Sequence, residues 1–76
     1  MSGWARVKRI VGENGKRYVD IEVGSLGLFR FTECSEDTDM GYVFMTPTHQ
    51  SGLYESADAA EREARAMLPW LRAISD

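Results

Sequence analysis

Chemistry in this chain would have to come from a short inventory: one cysteine, one histidine, an acidic run and a few aromatic residues beside cations. A thiol nucleophile needs a base within hydrogen-bond reach, and Cys34 with His49 is the one such combination the sequence offers. If the segments 28–34 and 41–47 pair around the acidic stretch between them, Cys34 sits near the connection and His49 beyond the far end. About eight residues at roughly 3.3 Å each then separate the two by on the order of 25 Å. Catalysis by that pair is not expected, and a thiol beside a turn behaves as a small hydrophobe. Glu33, Glu36, Asp37 and Asp39 could supply hard oxygen ligands, and Asp37-Thr38-Asp39 has the opening of a calcium loop. The glycine needed at the sixth position and the glutamate at the twelfth are missing, so an acidic, solvated connection is expected instead. Gly12, Gly15, Gly24 and Gly27 fit hairpin turns, because none of them heads a helix as a phosphate-binding loop must. Neither a metal nor an organic cofactor is expected.

Three further groups could bind rather than react. Trp4, Arg6 and Lys8 alternate along one strand and would place an aromatic platform beside cations, the composition of a single-strand nucleic-acid surface. The sequence pI of about 5.0 opposes that reading over most of the molecule. Charge is also unevenly placed: up to Arg17 there are five cations against Glu13 alone, and the remainder carries the acid that brings the total to -3. Cations on an edge hairpin discourage aggregation, which accounts for them without any ligand. Leu53, Tyr54 and Trp70 lie outside the simple core pattern and are candidate anchors for a partner, since aromatic residues dominate interface energetics, but each could equally cap the helix end of the core. Tyr42, His49 and Tyr54 could instead furnish polar groups for a small-molecule site between sheet and helix, although a histidine in a polar loop is expected to be solvated.

The elements that must position these residues follow from spacing. Trp4 to Val11 reads as a strand, and Asn14-Gly15 is a hairpin signal because both residues tolerate positive φ. In Arg17 to Val23, Val19, Ile21 and Val23 alternate with Tyr18, Asp20 and Glu22, giving one buried and one wet face. The register of this hairpin is open. A two-residue turn sets Ile10 opposite Val19 and Lys8 opposite Ile21, mixing charge into the core face, whereas one further loop residue aligns Val7 and Val11 there. Gly24 to Gly27 forms a second turn before a strand from Leu28 to Cys34 with Phe29 and Phe31 in the core. A fourth strand, Tyr42 to Thr46, is either ended by Pro47 or placed at an edge by it, and Thr48 to Glu55 is a loop or short irregular strand.

Ser56 is an N-cap, and Ala57, Ala60, Ala64, Met67, Leu71 and Ile74 form the apolar stripe of a helix. The pairs Asp58 with Arg62 and Glu61 with Arg65 mark its solvent side. Pro69 removes the bond to the Arg65 carbonyl, so the helix either kinks there or gives way to a second short one. The fold class is therefore α+β: a small antiparallel sheet of about four strands in β-β-β-β-α order, packed on one C-terminal amphipathic helix, in a single domain spanning 1–76. No apolar run reaches the ~18 residues of a membrane span and residues 1–15 lack the apolar stretch of a signal peptide, which points to the cytoplasm.

The passage Gly41-Tyr42-Val43-Phe44, Pro47, Gly52 and the alanine-rich helix opening at Ser56 resembles the sheet-to-helix passage of HicB-type antitoxin domains over about thirty residues. It departs from them in the spacing after Pro47 and in Thr48, where those domains carry an acidic residue. The resemblance implies a protein-binding role. The functional expectation is thus a noncatalytic protein interaction or regulatory module, acting on an unidentified protein partner or by self-association. The alternatives are a nucleic-acid-binding accessory protein using the basic hairpin and a small-molecule-binding or enzyme-subunit domain.

Overall fold

The computed structural model describes residues 3–74 and has the expected architecture: four antiparallel strands, each beside the next in chain order, followed by helix. The strands are β1 (Ala5–Val11), β2 (Arg17–Val23), β3 (Phe29–Asp39) and β4 (Tyr42–Gln50). Helix α1 (Ala57–Met67) crosses one face of β2 and β3, and α2 (Pro69–Arg72) follows it. The fold is thin, 16 Å in its smallest dimension, because one helical layer covers one face of the sheet.

The core lies where that layer meets the sheet. Val19, Ile21 and Phe31 are fully enclosed, and Ile10, Ala60, Ala64, Leu68 and Leu71 complete the cluster. Alanines at two helix positions let α1 approach closely, so the larger strand side chains fill the space between layers. The stripe differs from expectation at one place. Met67 is exposed and Leu68 is buried, because the helix stops at Met67 and Leu68 adopts an extended conformation that swings its side chain back into the core.

Pro69 explains that stop. A residue preceding proline is disfavoured in the helical region, and proline itself suits the first turn of a new helix. Of the two outcomes that the sequence allowed, the chain therefore takes the second short helix. The orphaned carbonyls are met by two arginines: Arg65 Nη1 donates to the Leu71 and Ile74 carbonyls at 3.2 and 3.0 Å, and Arg72 Nη2 to that of Ala66 at 2.8 Å. Glu61 and Arg65 do pair at i and i+4, yet the pair is mostly covered, so it ties α1 to α2 and does not mark a solvent face. Ser56 caps α1 as expected, its Oγ accepting from the Ala59 N–H at 3.0 Å.

Near the turn, the first hairpin takes the register that mixes charge into the core face: Ile10 stands opposite Val19 and Lys8 opposite Ile21. Lys8 is accommodated because it stays at the exposed rim of that face, its ammonium 3.0 Å from Glu61 Oε1 of the helix. A bulge at Val7 then shifts the ladder, so that Arg6 stands opposite Glu22. The turn is not the two-residue Asn-Gly type. Gly12 and Arg17 close a four-residue loop in which Gly15 takes φ of 72° and the Asn14 side chain accepts from the Lys16 N–H.

The largest departure is in β3 and β4. The acidic stretch after Cys34 is strand, not connection: β3 continues to Asp39, and Met40-Gly41 alone turns the chain, with φ of 50° and 84°. Two successive positive φ values are what a tight hairpin turn requires, and the sheet's twist favours it. β4 likewise runs through Pro47 to Gln50 as an edge strand, with Thr48 bulged out between Pro47, which faces Cys34, and His49, which faces Glu33. Tyr54 adds an isolated bridge to Phe29.

Candidate functional site

The sheet's helix-free face carries a lattice of paired polar groups. Arg9 makes two hydrogen bonds to Asp20, at 2.7 and 2.9 Å, and its guanidinium lies 4.0 Å from the centre of the Tyr18 ring. Hydrogen bonding to Cys34, then burial, holds the Tyr18 phenol above its ordinary pKa. Glu22 accepts from both Arg30 and Thr32, and Arg30 also lies 3.8 Å from the centre of the Trp4 ring. These cations therefore meet carboxylates and rings within the molecule.

That arrangement separates the aromatic-and-cation platform of Trp4, Arg6 and Lys8. Neighbouring residues of a strand point to opposite faces, and Arg6 stands opposite Glu22 while Lys8 stands opposite Ile21. Arg6 and Lys8 thus occupy different faces, with Lys8 drawn to Glu61 on the helical side and Trp4 covered by Arg30. The strand alternation implied a common face; the bulge at Val7 removed it.

Cys34 and His49 are also rearranged. They are not at opposite ends of a hairpin: Cys34 stands opposite Pro47 and its neighbour Glu33 opposite His49. The earlier separation fails because the turn lies at Met40-Gly41, which puts Cys34 in mid-strand. The two side chains still do not form a nucleophile and base, because they lie on opposite faces of the sheet. Cys34 is buried beside Tyr18, and the His49 ring stacks on Phe31 with 5.6 Å between centroids. His49 is accordingly half-buried rather than solvated, and its Nε2 is enclosed without a hydrogen-bond partner.

Of the three candidate anchors, two have internal attachments. Trp70 Nε1 donates to Glu33 Oε2 at 2.6 Å, and its ring packs over Gly12, joining α2 to β3 and the first hairpin. Tyr54 is half-buried, with its ring stacked on Phe31 at 6.3 Å. Leu53 is exposed and, with Leu26, Leu28 and Trp4, borders a small apolar dimple beside the second turn. A shallow cleft of about 350 Å³ between the first turn and α2 is lined by Glu13, Arg17 and Trp70 among others. Among the described residues, no three histidine, cysteine or acidic side chains come together in a way that could hold a metal ion.

The feature that sequence reading missed is the outer half of the β3–β4 hairpin. β2 pairs with β3 as far as Ser35, and a last bond joins the Glu36 N–H to the Lys16 carbonyl. Four residue pairs, from Glu36 with Met45 to Asp39 with Tyr42, extend past that point as a two-stranded ribbon. At roughly 3.3 Å per residue it projects about 13 Å. Met40 at its tip and Tyr42, Val43 and Phe44 on β4 are 90%, 77%, 63% and 42% exposed, beside Glu36, Asp37 and Asp39 of β3. The alternation Tyr42, Phe44, Thr46 was present in the sequence as the signal of a strand, but nothing in it told how far the strand outruns its cover.

No family model, no curated protein and no solved structure matches this chain. No helix among the described residues is long and apolar enough to cross a membrane.

Proposed function

We propose that this chain is a noncatalytic interaction module that engages another polypeptide through the projecting β3–β4 ribbon, whose open β4 edge accepts an added strand. One observation carries the reading: Tyr42 and Phe44 stand exposed on the helical side of an edge strand and Val43 on its other side, with Met40 at the turn, all outside the helix-covered part of the sheet. An exposed edge strand with apolar side chains on both faces and outward backbone groups has the composition of a strand-addition site. The ribbon is also stiff enough to present them, since its turn has the backbone geometry of a tight hairpin and its lower end is continuous with the four-stranded sheet. Catalysis finds no comparable support, because Cys34 and His49 occupy opposite faces.

Affinity purification of the tagged protein, with nuclease treatment before mass spectrometry, tests the reading when wild type is compared with Val43→Lys/Met45→Lys. A stoichiometric protein that survives nuclease and disappears with the double variant supports it. Retention of that protein by the ribbon variant and its loss with Leu53→Asp would move the interface to the other end of the sheet.

A further inference from the structure

Resting on the ribbon as the interaction surface, we infer that the strand added to β4 is β4 of a second copy of this chain, across a two-fold axis at Phe44. The phase of the ladder leads there. Asp39 and Tyr42 close the two-residue turn, so they exchange hydrogen bonds with each other, and alternation turns the N–H and C=O groups of Val43 and Met45 outward. The next outward position is Pro47, which has no N–H to give. The usable edge is therefore two residues long in hydrogen-bonding terms. One antiparallel self-pairing satisfies all of it: Val43 opposite Met45 of the second copy and Met45 opposite its Val43, four hydrogen bonds in all. Centring the axis on Met45 would waste a partner on Pro47, and centring it on Val43 would set Met45 against the turn glycine, Gly41.

Charge points the same way. Residues 42–48 hold no carboxylate, ammonium or guanidinium, so two such edges meet without like-charge contact. The acidic groups of β3 lie one strand further back in each copy, leaving Asp37 and its counterpart three strand spacings apart, about 14 Å, which exceeds the Debye length of ~10 Å at 0.1 M salt. The other edge of the sheet is built to refuse a neighbour: β1 carries Arg6, Lys8 and Arg9 and is interrupted by the Val7 bulge. Pairing through β4 therefore closes at two copies, where a β1-to-β4 contact would propagate. In the closed pair Phe44 meets Phe44 of the second copy on the helical side of the sheet, and Tyr42 meets Thr46.

Sedimentation of the intact chain over a concentration series, with cysteine cross-linking, tests this. The expected result is a rise from 8.6 kDa toward twice that mass with little response to salt. Phe44→Cys forms a disulfide-linked dimer under mild oxidation, whereas Thr46→Cys links only when mixed with Tyr42→Cys. Val43→Lys/Met45→Lys loses the dimer with its circular dichroism unchanged. A constant monomer mass, or equal linking by Phe44→Cys and Thr46→Cys alone, overturns the inference. A monomer whose ribbon still captures a different protein in a salt-sensitive manner points to a basic strand as occupant and leaves the broader reading standing. A monomer that captures nothing through the ribbon removes both.

Discussion

The inner and outer halves of the β3–β4 hairpin use the same alternation of side chains for opposite ends. In the inner half Phe31 is fully enclosed, because α1 lies over that face and β2 and β4 flank it. Thirteen residues on, Phe44 is on the same helical side, opposite Asp37, but α1 does not reach it and β2 has ended, so two-fifths of the residue stays exposed to water. Strand periodicity reports which residues share a face. What covers that face is a tertiary matter, and it separates a core residue from a contact residue.

The comparison predicts its own largest effect. Phe31→Ala removes a ring with no exposed surface and is expected to cost about 3–5 kcal/mol, enough to unfold much of so small a domain. Phe44→Ala makes the same chemical change on a half-covered site and is expected to cost about 1 kcal/mol, the fraction of aromatic burial that the ribbon supplies. Urea denaturation of the two variants checks this, and equal costs would mean that the ribbon is packed as tightly as the core. Trp70→Phe tests the attachment between inner strand and helix. It keeps the ring over Gly12 and removes the 2.6 Å bond to Glu33, for an expected loss of about 1.5 kcal/mol. Trp4 then remains as the tryptophan fluorophore for the melt. Smaller again is Val43→Lys, expected to change stability by under about 0.5 kcal/mol because the side chain touches little, while its charge on the open edge disfavours strand addition.

Much of the covered half was legible in the sequence. Val19, Ile21 and Phe31 announce the core by alternation, and Ser56 with the alanines at 60 and 64 announces the helix and its close approach. What stayed illegible depended on contacts between distant residues. Lys8 looked out of place on a core face until Glu61, fifty-three residues on, was seen to meet it. The acidic run after Cys34 looked like a loop because aspartate is poor in strands, yet the turn at Met40-Gly41 and the pairing partners Phe44 and Val43 hold it extended. Trp4, Arg6 and Lys8 were read on one face by a period that a single bulged residue breaks, and Trp70, for which the sequence left a partner contact and a core role both open, is tied to Glu33.

The pH response should divide the molecule along the same line. Burial of Glu61 alone would raise its pKa, but hydrogen bonds from Lys8 and Arg65 outweigh that and leave it below the ordinary 4.5. A carboxyl group whose folded pKa is depressed adds stability above its unfolded value, and that stability is lost as pH falls through the lower folded value. Denaturation midpoints measured downward from pH 6 are therefore expected to decline below about pH 4.5, and Lys8→Met should flatten the decline by removing one of the two cations that favour the charged form. Glu61→Gln removes the titrating group itself and should flatten the decline at least as much as Lys8→Met does. If neither substitution flattened it, the acid sensitivity would not arise where Lys8 and Arg65 join sheet to helix, and the contrast between a tied inner sheet and a projecting outer ribbon would fail at the point where it is easiest to measure.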